Sequence, residues 1–198
     1  YFIFLLTIFF IFFNLNNNFS ELLLSLTSSV SNIGFSLDSN SSHLSFIFLI
    51  LVIIGGSFFS TSSGIRFLKI YSLFKYSINE ILSYSKPKNI YINKHLFSKE
   101  FFKLNEIYKY FLSIIIFVIS LFFLTFLLTL SGIDFEASFK LSILTLMNTV
   151  NSSMYGLSDF NFYDLHFFTK YYLIIFMIIG RVELLTLLII CKKFLFKN

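Results

Sequence analysis

The sequence predicts an all-α membrane protein built from two span–re-entrant helix–span units, the first of which has a truncated opening span. Three observations lead to this prediction. Of the 198 residues, 57% are hydrophobic and only 13% are charged, too few charges to cover a soluble domain of this length. Four apolar segments follow one another along the chain. Two of the connections between them have moderately apolar centres that are too short to cross a bilayer.

The first unit is predicted over residues 1–75. It contains a partial span (1–13), a pore hairpin (14–42) and a span that is interrupted within residues 44–75. Residues 1–13 are uncharged, lack the basic flank of a signal peptide and fall short of the ~20 residues that a spanning helix needs. We therefore expect that the beginning of this span is missing. The hairpin has polar ends and an apolar centre of about 10–15 residues, a length that suits a re-entrant helix.

The second unit is predicted over residues 110–198. A span (110–131) is followed by a second pore hairpin (132–166), a last span (167–191) and a short basic tail. The order of parts is the same as in the first unit, which indicates an internal repeat.

A gapless comparison relates the two hairpins. Residues 15–36 meet residues 135–156 at an offset of 120 positions, with Gly34 opposite Met154. Few residues are identical between the two stretches, so the repeat is inferred from the shared order of span, short helix, polar hairpin and span.

The distribution of charge predicts the orientation of the chain. Residues 65–109, which include a basic connector at 76–109, carry nine lysines and arginines against three glutamates, and the tail adds three lysines. The two hairpins carry six acids and a single base, Lys140. The positive-inside rule therefore places the connector and the C-terminus in the cytoplasm and opens both hairpins to the outside, where their acidic bias favours cations. This topology also explains the basic connector better than nucleic-acid binding does.

The hairpins have the composition of an ion filter. A short helix that ends at mid-membrane directs its partial negative charge inward, and the non-helical backbone after it exposes carbonyl oxygens that can replace the hydration shell of potassium. The segment "SVSNIGF" (29–35) provides small polar residues and a glycine. An ordinary external loop with an Asn-Ile-Gly turn is the alternative. The predicted filter residues are Ser31, Asn32, Ile33, Gly34, Asn151, Ser152, Ser153 and Met154.

The segment "GGSFFSTSSG" (55–64) interrupts the second span. A helix over residues 44–54 advances about 16 Å, half of a ~30 Å hydrocarbon core, so the interruption is expected near the membrane midplane. Glycines weaken a helix there, and hydroxyl groups can bond the freed backbone. The alternative is a small-residue surface for helix packing. The residues concerned are Gly55, Gly56, Ser57, Ser60, Thr61, Ser62, Ser63 and Gly64.

Arg181 lies about 14 residues, or ~21 Å, past the outer end of the last span. A charge at that depth costs ~3 kcal/mol, so Arg181 is expected to face an aqueous path and to touch the 55–64 segment. The alternative is an arginine that snorkels to the cytoplasm.

Four stretches of the sequence resemble one known family. These are "IGGSFFSTSSGIR" (54–66), "PKNIYIN" (87–93), "SGIDFEASF" (131–139) and "IGRVELLTLL" (179–188). In order and spacing they resemble the C-terminal half of the Trk/Ktr/HKT potassium transporters, and within that family the bacterial TrkH-type subunit.

This resemblance implies potassium transport in the bacterial cytoplasmic (inner) membrane, with potassium as the substrate. The sequence contains no cofactor-binding motif, so no cofactor is expected on this chain. It implies that residues 55–64 form an intramembrane gate and that Arg181 acts with them. It also implies a cytoplasmic nucleotide-binding regulatory subunit of the TrkA/KtrA kind, docked on the basic region 67–109.

Two features depart from the family pattern. The family carries a glycine where the gapless comparison places Met154, and a local shift would make Gly156 the equivalent residue. The family pore uses four units and this sequence has two, so a homodimer or a separate N-terminal half would complete it. An inactive or complementing fragment is the alternative.

Two other classes of function are alternatives to transport. A membrane-embedded enzyme would draw on His43, His95, His166, Asp159 and Asp164, but the sequence contains no HExxH or GxSxG motif. We therefore expect that the chain is not an enzyme. A structural subunit of a membrane complex would leave the 55–64 segment and Arg181 unexplained.

Overall fold

The chain is all-α in the part that the structure, a computed structural model, describes. That part comprises residues 10, 19–35, 45–54, 65, 67–85, 104–151, 153–157, 160–181, 192 and 193. Its helices are α1 (Phe19–Val30), α2 (Ser45–Ile54), α3 (Phe67–Ser85), α4 (Leu104–Leu130), α5 (Phe135–Met147) and α6 (Phe167–Arg181). Two single 3-10 turns, Ser153–Tyr155 and Phe162–Asp164, lie between α5 and α6. The predicted all-α fold class is confirmed.

Helix α4 is the longest element. Its 27 residues extend about 40 Å, and within the described ranges Asn105–Leu130 is the one stretch long and apolar enough to cross a membrane. Leu124 and Leu128 are fully buried against the other helices, while Phe122 and Phe126 point outward and are more than half exposed. A helix that is apolar on both its buried and its exposed face is typical of one placed between protein and lipid.

Helix α5 lies at the centre, in contact with α2, α4 and α6. All seven residues from Leu141 to Met147 are buried. The Ser142 hydroxyl donates to the carbonyl oxygen of Ser138 (2.7 Å) and accepts a hydrogen bond from the Thr125 hydroxyl of α4 (3.2 Å). Small hydroxyl side chains allow helix backbones to approach each other closely. At 13 residues, or about 20 Å, α5 is too short to cross a bilayer although it is buried on all sides near its C-terminus.

Helices α1 and α2 form a second contacting pair. Ser25 and Ser29 are fully buried on α1, and their hydroxyls donate to carbonyl oxygens of the preceding turn, so both are satisfied within the helix. Helix α1 has 12 residues, and α2 is an apolar helix of ten that ends at Ile54. The 55–64 segment follows at once and lies outside the described residues.

Helices α3 and α4 extend beyond the apolar segments of the sequence. Helix α3 continues to Ser85 and α4 begins at Leu104. The hydropathy of the sequence predicts that one span ends at residue 75 and that the next begins at residue 110. The reason is that polar residues such as Lys75 and Glu80 continue the backbone hydrogen bonding of a helix after its apolar part has ended. Lys69 of α3 donates a hydrogen bond to Ser113 of α4 (3.3 Å), which ties this pair together. Residues 86–103 of the connector, including the "PKNIYIN" stretch, lie outside the described residues.

Candidate functional site

Helix α1 ends in a left-handed turn at Asn32, whose φ is 58°. The Asn32 amide donates to the carbonyl oxygen of Ser29 (3.2 Å), and the Ile33 amide donates to that of Ser28 (3.0 Å). This pair of bonds is a Schellman motif, which satisfies carbonyl groups that the last helical turn leaves free. Asparagine is one of the few residues that adopts this conformation readily. The chain therefore leaves the helix at Asn32 and continues as non-helical backbone.

Helix α5 ends in the same way at Asn148, whose φ is 54°. The Asn148 amide donates to the carbonyl oxygen of Thr145 (3.1 Å), and the Thr149 amide donates to that of Leu144 (2.9 Å). The two turns are 148 − 32 = 116 positions apart, whereas the gapless sequence comparison used 120. In the geometry of the turns, the counterpart of Gly34 is Val150 rather than Met154.

The two turns touch each other through their backbones. The Val150 amide donates a hydrogen bond to the carbonyl oxygen of Ile33, 3.3 Å away. Gly34 has a φ of +85°, and a β-carbon at this position would lie 2.2 Å from the Val150 carbonyl oxygen and 2.9 Å from the Thr149 methyl group. Both the positive φ and the missing space restrict the position to glycine. The ends of two short helices, more than 100 residues apart in sequence, therefore meet at Gly34.

All four predicted filter residues of the first hairpin lie in this turn. Asn32 and Gly34 are buried, while Ser31 and Ile33 are exposed. The Ser31 hydroxyl donates to the carbonyl oxygen of Thr27 (2.7 Å), so this side chain caps the helix end.

The predicted filter residues of the second hairpin lie farther along the chain than the turn at Asn148. Asn151 donates from its side-chain amide to the carbonyl oxygen of Leu157 (3.3 Å), which closes a loop over residues 151–157. Within that loop Ser153 and Met154 belong to a 3-10 turn, and the Met154 side chain is 1% exposed. Ser152 lies outside the described residues. Gly156 follows with a φ of +71°.

Thr149 and Val150, which touch Gly34, were missed by the sequence comparison. A signal was present at an offset of 116, because both short helices begin with phenylalanine (Phe19 and Phe135) and are followed by an asparagine and a β-branched residue. These two identical residues were too few, in a comparison of low identity, to favour the offset of 116 over the offset of 120.

Four oxygen atoms around these turns lack hydrogen-bond partners in the described part of the chain. They are the hydroxyl oxygens of Ser28, Thr149 and Tyr155 and the side-chain amide oxygen of Asn151. Ser28, Thr149 and Tyr155 are at most 7% exposed. A buried polar atom without a partner costs about 1–3 kcal/mol, so native proteins rarely leave one without a bound water, ion or partner. All four atoms are neutral and carry lone pairs that can accept a hydrogen bond or bind a cation.

Arg181 is the last described residue of α6, and its side chain is exposed. The preceding residue, Gly180, lies so close to α5 that a β-carbon there would be 2.1 Å from the carbonyl oxygen of Leu146. Arg181 therefore follows directly on the point where α6 touches the last turn of α5. The eight glycine, serine and threonine residues predicted to act with it, within 55–64, lie outside the described residues, and so does any contact with them.

An acid–base pair lies near the N-terminus of α5. Lys140 and Glu136 form an ion pair with a distance of 2.6 Å between nitrogen and oxygen. The hydrogen bond from Lys140 and its charge lower the pKa of Glu136 below its usual value. The one base of the two hairpins is therefore neutralised by its neighbour on the same helix.

A polar cavity of about 400 Å³ lies beside the start of α5 and the start of α6. Asp134 and His166 line it. The His166 ring accepts a hydrogen bond from the Phe168 amide (3.4 Å) and stacks on the Phe168 ring, as expected for a residue that begins a helix. Of the other residues weighed for an enzyme, Asp164 lies in a 3-10 turn, and His43, His95 and Asp159 fall outside the described ranges.

No protein-family profile and no curated protein matches this chain by sequence. Among solved structures, the fold is similar to that of the potassium transporter TrkH from Vibrio parahaemolyticus, with a TM-score of 0.68 and 21% sequence identity. The likeness covers 87% of this chain and 36% of the TrkH chain, so the protein spans little more than a third of the length of that structure. The described helices of this chain are thus arranged as in a part of the TrkH structure.

Proposed function

We propose that this chain transports potassium across a membrane, along a path lined by the two hairpin turns and controlled by residues 55–64 together with Arg181. One observation carries the proposal. The ends of two short helices meet through their backbones at Gly34, and buried oxygen atoms without partners lie in the same turns. The similarity of the fold to a potassium transporter supports the choice of substrate.

The proposed ligands are backbone carbonyl oxygens of residues 31–34 and 151–154. Potassium is bound in proteins by oxygen atoms that replace its hydration shell. The C-termini of α1 and α5 both end at these turns, so the partial negative charges of two helices favour a cation there. The unpaired oxygens of Thr149 and Asn151 add neutral oxygen donors beside the carbonyls.

The lengths of α1 and α5 support a re-entrant arrangement. At about 18 and 20 Å they are shorter than a ~30 Å hydrocarbon core. Non-helical backbone at membrane depth is tolerated where protein buries it or water reaches it. The turns after Asn32 and Asn148 meet this condition if they line a water-filled path.

The gate is proposed from the break between α2 and α3. Helix α2, Ser45–Ile54, has nine apolar residues, and α3 begins at Phe67. In our proposal the intervening glycine- and hydroxyl-rich segment obstructs the path, and Arg181 repels cations until the segment moves. In this proposal Arg181 regulates the flux of ions, and this role accounts for a charged residue in the last span.

The proposed pore is an assembly of this chain with a second component. Because the chain covers 36% of the TrkH structure, we propose that a second copy or a separate N-terminal half completes the pore. The chain would lie in a bacterial cytoplasmic membrane with its C-terminus inside. A cytoplasmic nucleotide-binding ring of the TrkA/KtrA kind would dock on the basic region 67–109.

Rubidium uptake in cells that lack potassium transport tests the proposal. The chain would be expressed alone, with an N-terminal half and as the Gly34→Asp variant. We expect uptake by the wild-type chain in at least one of the first two conditions and none by the variant. Absence of uptake in both conditions would leave an inactive fragment or a structural subunit, and would refute the transport proposal.

The Thr149→Val variant tests the role of the unpaired oxygens. A hydroxyl without a partner destabilises the fold, so its replacement by a methyl group should leave thermal stability equal or higher while uptake falls. The matched control is Thr145→Val, which removes a buried hydroxyl that donates to the Leu141 carbonyl. This control should lose about 1 kcal/mol of stability and keep the wild-type affinity for rubidium. Equal uptake by the Thr149→Val variant and the wild type would exclude Thr149 as a ligand.

A further inference from the structure

We infer that Asn148 is a positioning residue that couples the second hairpin to the last helix, α6. The inference rests on the proposed function, since it concerns how the filter turns are held. It adds a connection between those turns and the end of α6 where Arg181 lies.

Asn148 has two separate roles in the structure. Its backbone adopts the left-handed conformation that ends α5, with a φ of 54°. Its side-chain amide donates a hydrogen bond of 2.9 Å to the carbonyl oxygen of Met177, 29 residues away on α6. The first role needs only a residue that tolerates positive φ, and glycine tolerates it best. The second role needs a hydrogen-bond donor at this place.

A second contact joins the same two helices close by. Gly180 lies against the Leu146 backbone, and a β-carbon at Gly180 would be 2.1 Å from the Leu146 carbonyl oxygen. The end of α5 is therefore attached to α6 at two points, Leu146 to Gly180 and Asn148 to Met177. Two attachment points within three residues on each side prevent the two helix ends from sliding or rotating independently.

This attachment places α6 in register with the filter turns. Asn148 directly precedes Thr149 and Val150, which touch Gly34 and Ile33. On the other side, Gly180 directly precedes Arg181. A displacement of the end of α6 is therefore transmitted through Asn148 to the contact between the two hairpins. Arg181 and the filter are connected through contiguous packed groups, and each can bias the position of the other.

The Asn148→Gly variant separates the two roles. Glycine keeps the left-handed turn and removes the donor, so a residue that serves only as a helix cap would be replaced without loss. We expect the half-saturation constant for rubidium and the rubidium-to-sodium uptake ratio to change by about three- to tenfold, in line with the loss of one hydrogen bond. The Asn148→Asp variant keeps the shape but turns an acceptor toward the Met177 carbonyl, and should change both quantities more.

The matched control is Lys170→Ala. The Lys170 ammonium also donates to a backbone carbonyl, that of Tyr163 (3.2 Å). This bond joins the first part of α6 to the 3-10 turn that precedes it. We expect less than about a twofold change in either quantity, because this bond is exposed and far from Asn148. If Asn148→Gly matches the wild type and the control in both quantities, the positioning role is wrong.

A distance measurement decides the inference even if the chain proves not to transport. In a Cys191→Ser background, spin labels would replace the exposed residues Leu23 of α1 and Ile178 of α6 in the full chain in lipid nanodiscs. We expect the distribution of distances to broaden in Asn148→Gly and to stay unchanged in Lys170→Ala. An unchanged distribution in Asn148→Gly would overturn the coupling. Absence of uptake by the wild type would instead refute the proposed function.

Discussion

The amide of Val150 donates a hydrogen bond to the carbonyl oxygen of Ile33, and this bond joins the turns that follow two separate short helices. It lies beside Gly34, whose α-carbon approaches the backbone of Val150 more closely than any side chain would allow. The two hairpins are therefore in direct backbone contact, and the absence of a β-carbon at residue 34 allows this close approach.

Replacement of Gly34 by alanine is expected to separate the two hairpins. The β-carbon would lie 2.2 Å from the Val150 carbonyl oxygen, and backbone atoms cannot move aside as a flexible side chain can. Gly132→Ala is the matched control, because Gly132 has a similar φ of +89° but no neighbour within 4 Å of its β-carbon position. We expect Gly132→Ala to lose about 1–2 kcal/mol from backbone strain alone. Gly34→Ala should lose clearly more in thermal unfolding and should abolish rubidium uptake. Equal losses would show that the hairpins do not depend on this contact.

The side chain of Met154 is expected to support the core, so that only the backbone carbonyl of this residue faces the ion path. Its side chain is 1% exposed, so Met154→Ala should remove about 2–5 kcal/mol of stability by leaving a cavity. Met154→Leu, which conserves the volume, should cost less than about 1.5 kcal/mol. Both variants should keep the wild-type ratio of rubidium to sodium uptake. A changed ratio in Met154→Leu would place this side chain in the path after all.

Alanine at Gly180 is expected to destabilise the protein although alanine favours helices. In an exposed helix the change would gain up to about 1 kcal/mol. Here the new methyl group would overlap the Leu146 carbonyl, and overpacking of this kind costs about 1–3 kcal/mol. Thermal unfolding in detergent should therefore show a lower midpoint than the wild type. Ile178→Ala, at an exposed position of the same helix, serves as the control and should change the midpoint little. A raised midpoint in Gly180→Ala would mean that α5 and α6 do not touch here.

The ion pair between Glu136 and Lys140 predicts a weak dependence of stability on acid pH. Lys140 lowers the pKa of Glu136, so the pair contributes stability above the ordinary glutamate pKa of about 4.3. This contribution is lost as the pH falls through the lowered pKa. The wild type and Glu136→Gln should therefore differ slightly in melting temperature at pH 6–8, and the difference should shrink as the pH falls below the ordinary glutamate pKa. Because the Glu136 side chain is 80% exposed, a large difference at neutral pH would contradict this account.

Much of the fold could be predicted from local properties of the sequence. The short apolar centres of the hairpins predicted α1 and α5, which have 12 and 13 residues. Hydropathy was less accurate at helix ends, since α3 and α4 continue through polar residues for six to ten positions. The turn at the end of α1 could be predicted because glycine and asparagine favour a turn. The sequence comparison placed its counterpart at an offset of 120, while the two turns are 116 positions apart.

The sequence by itself determined the class of protein, the helices and the places where they break, because hydropathy, chain length and backbone preference act over a few neighbouring residues. Only the tertiary structure decided which of those places meet: Ile33 with Val150, Asn148 with Met177, and Gly180 with Leu146. These contacts depend on how packed helices bring together segments that are 29 to more than 100 residues apart. In the sequence, a close approach of two backbones is indicated only by a glycine, and a glycine does not show which other segment packs against it.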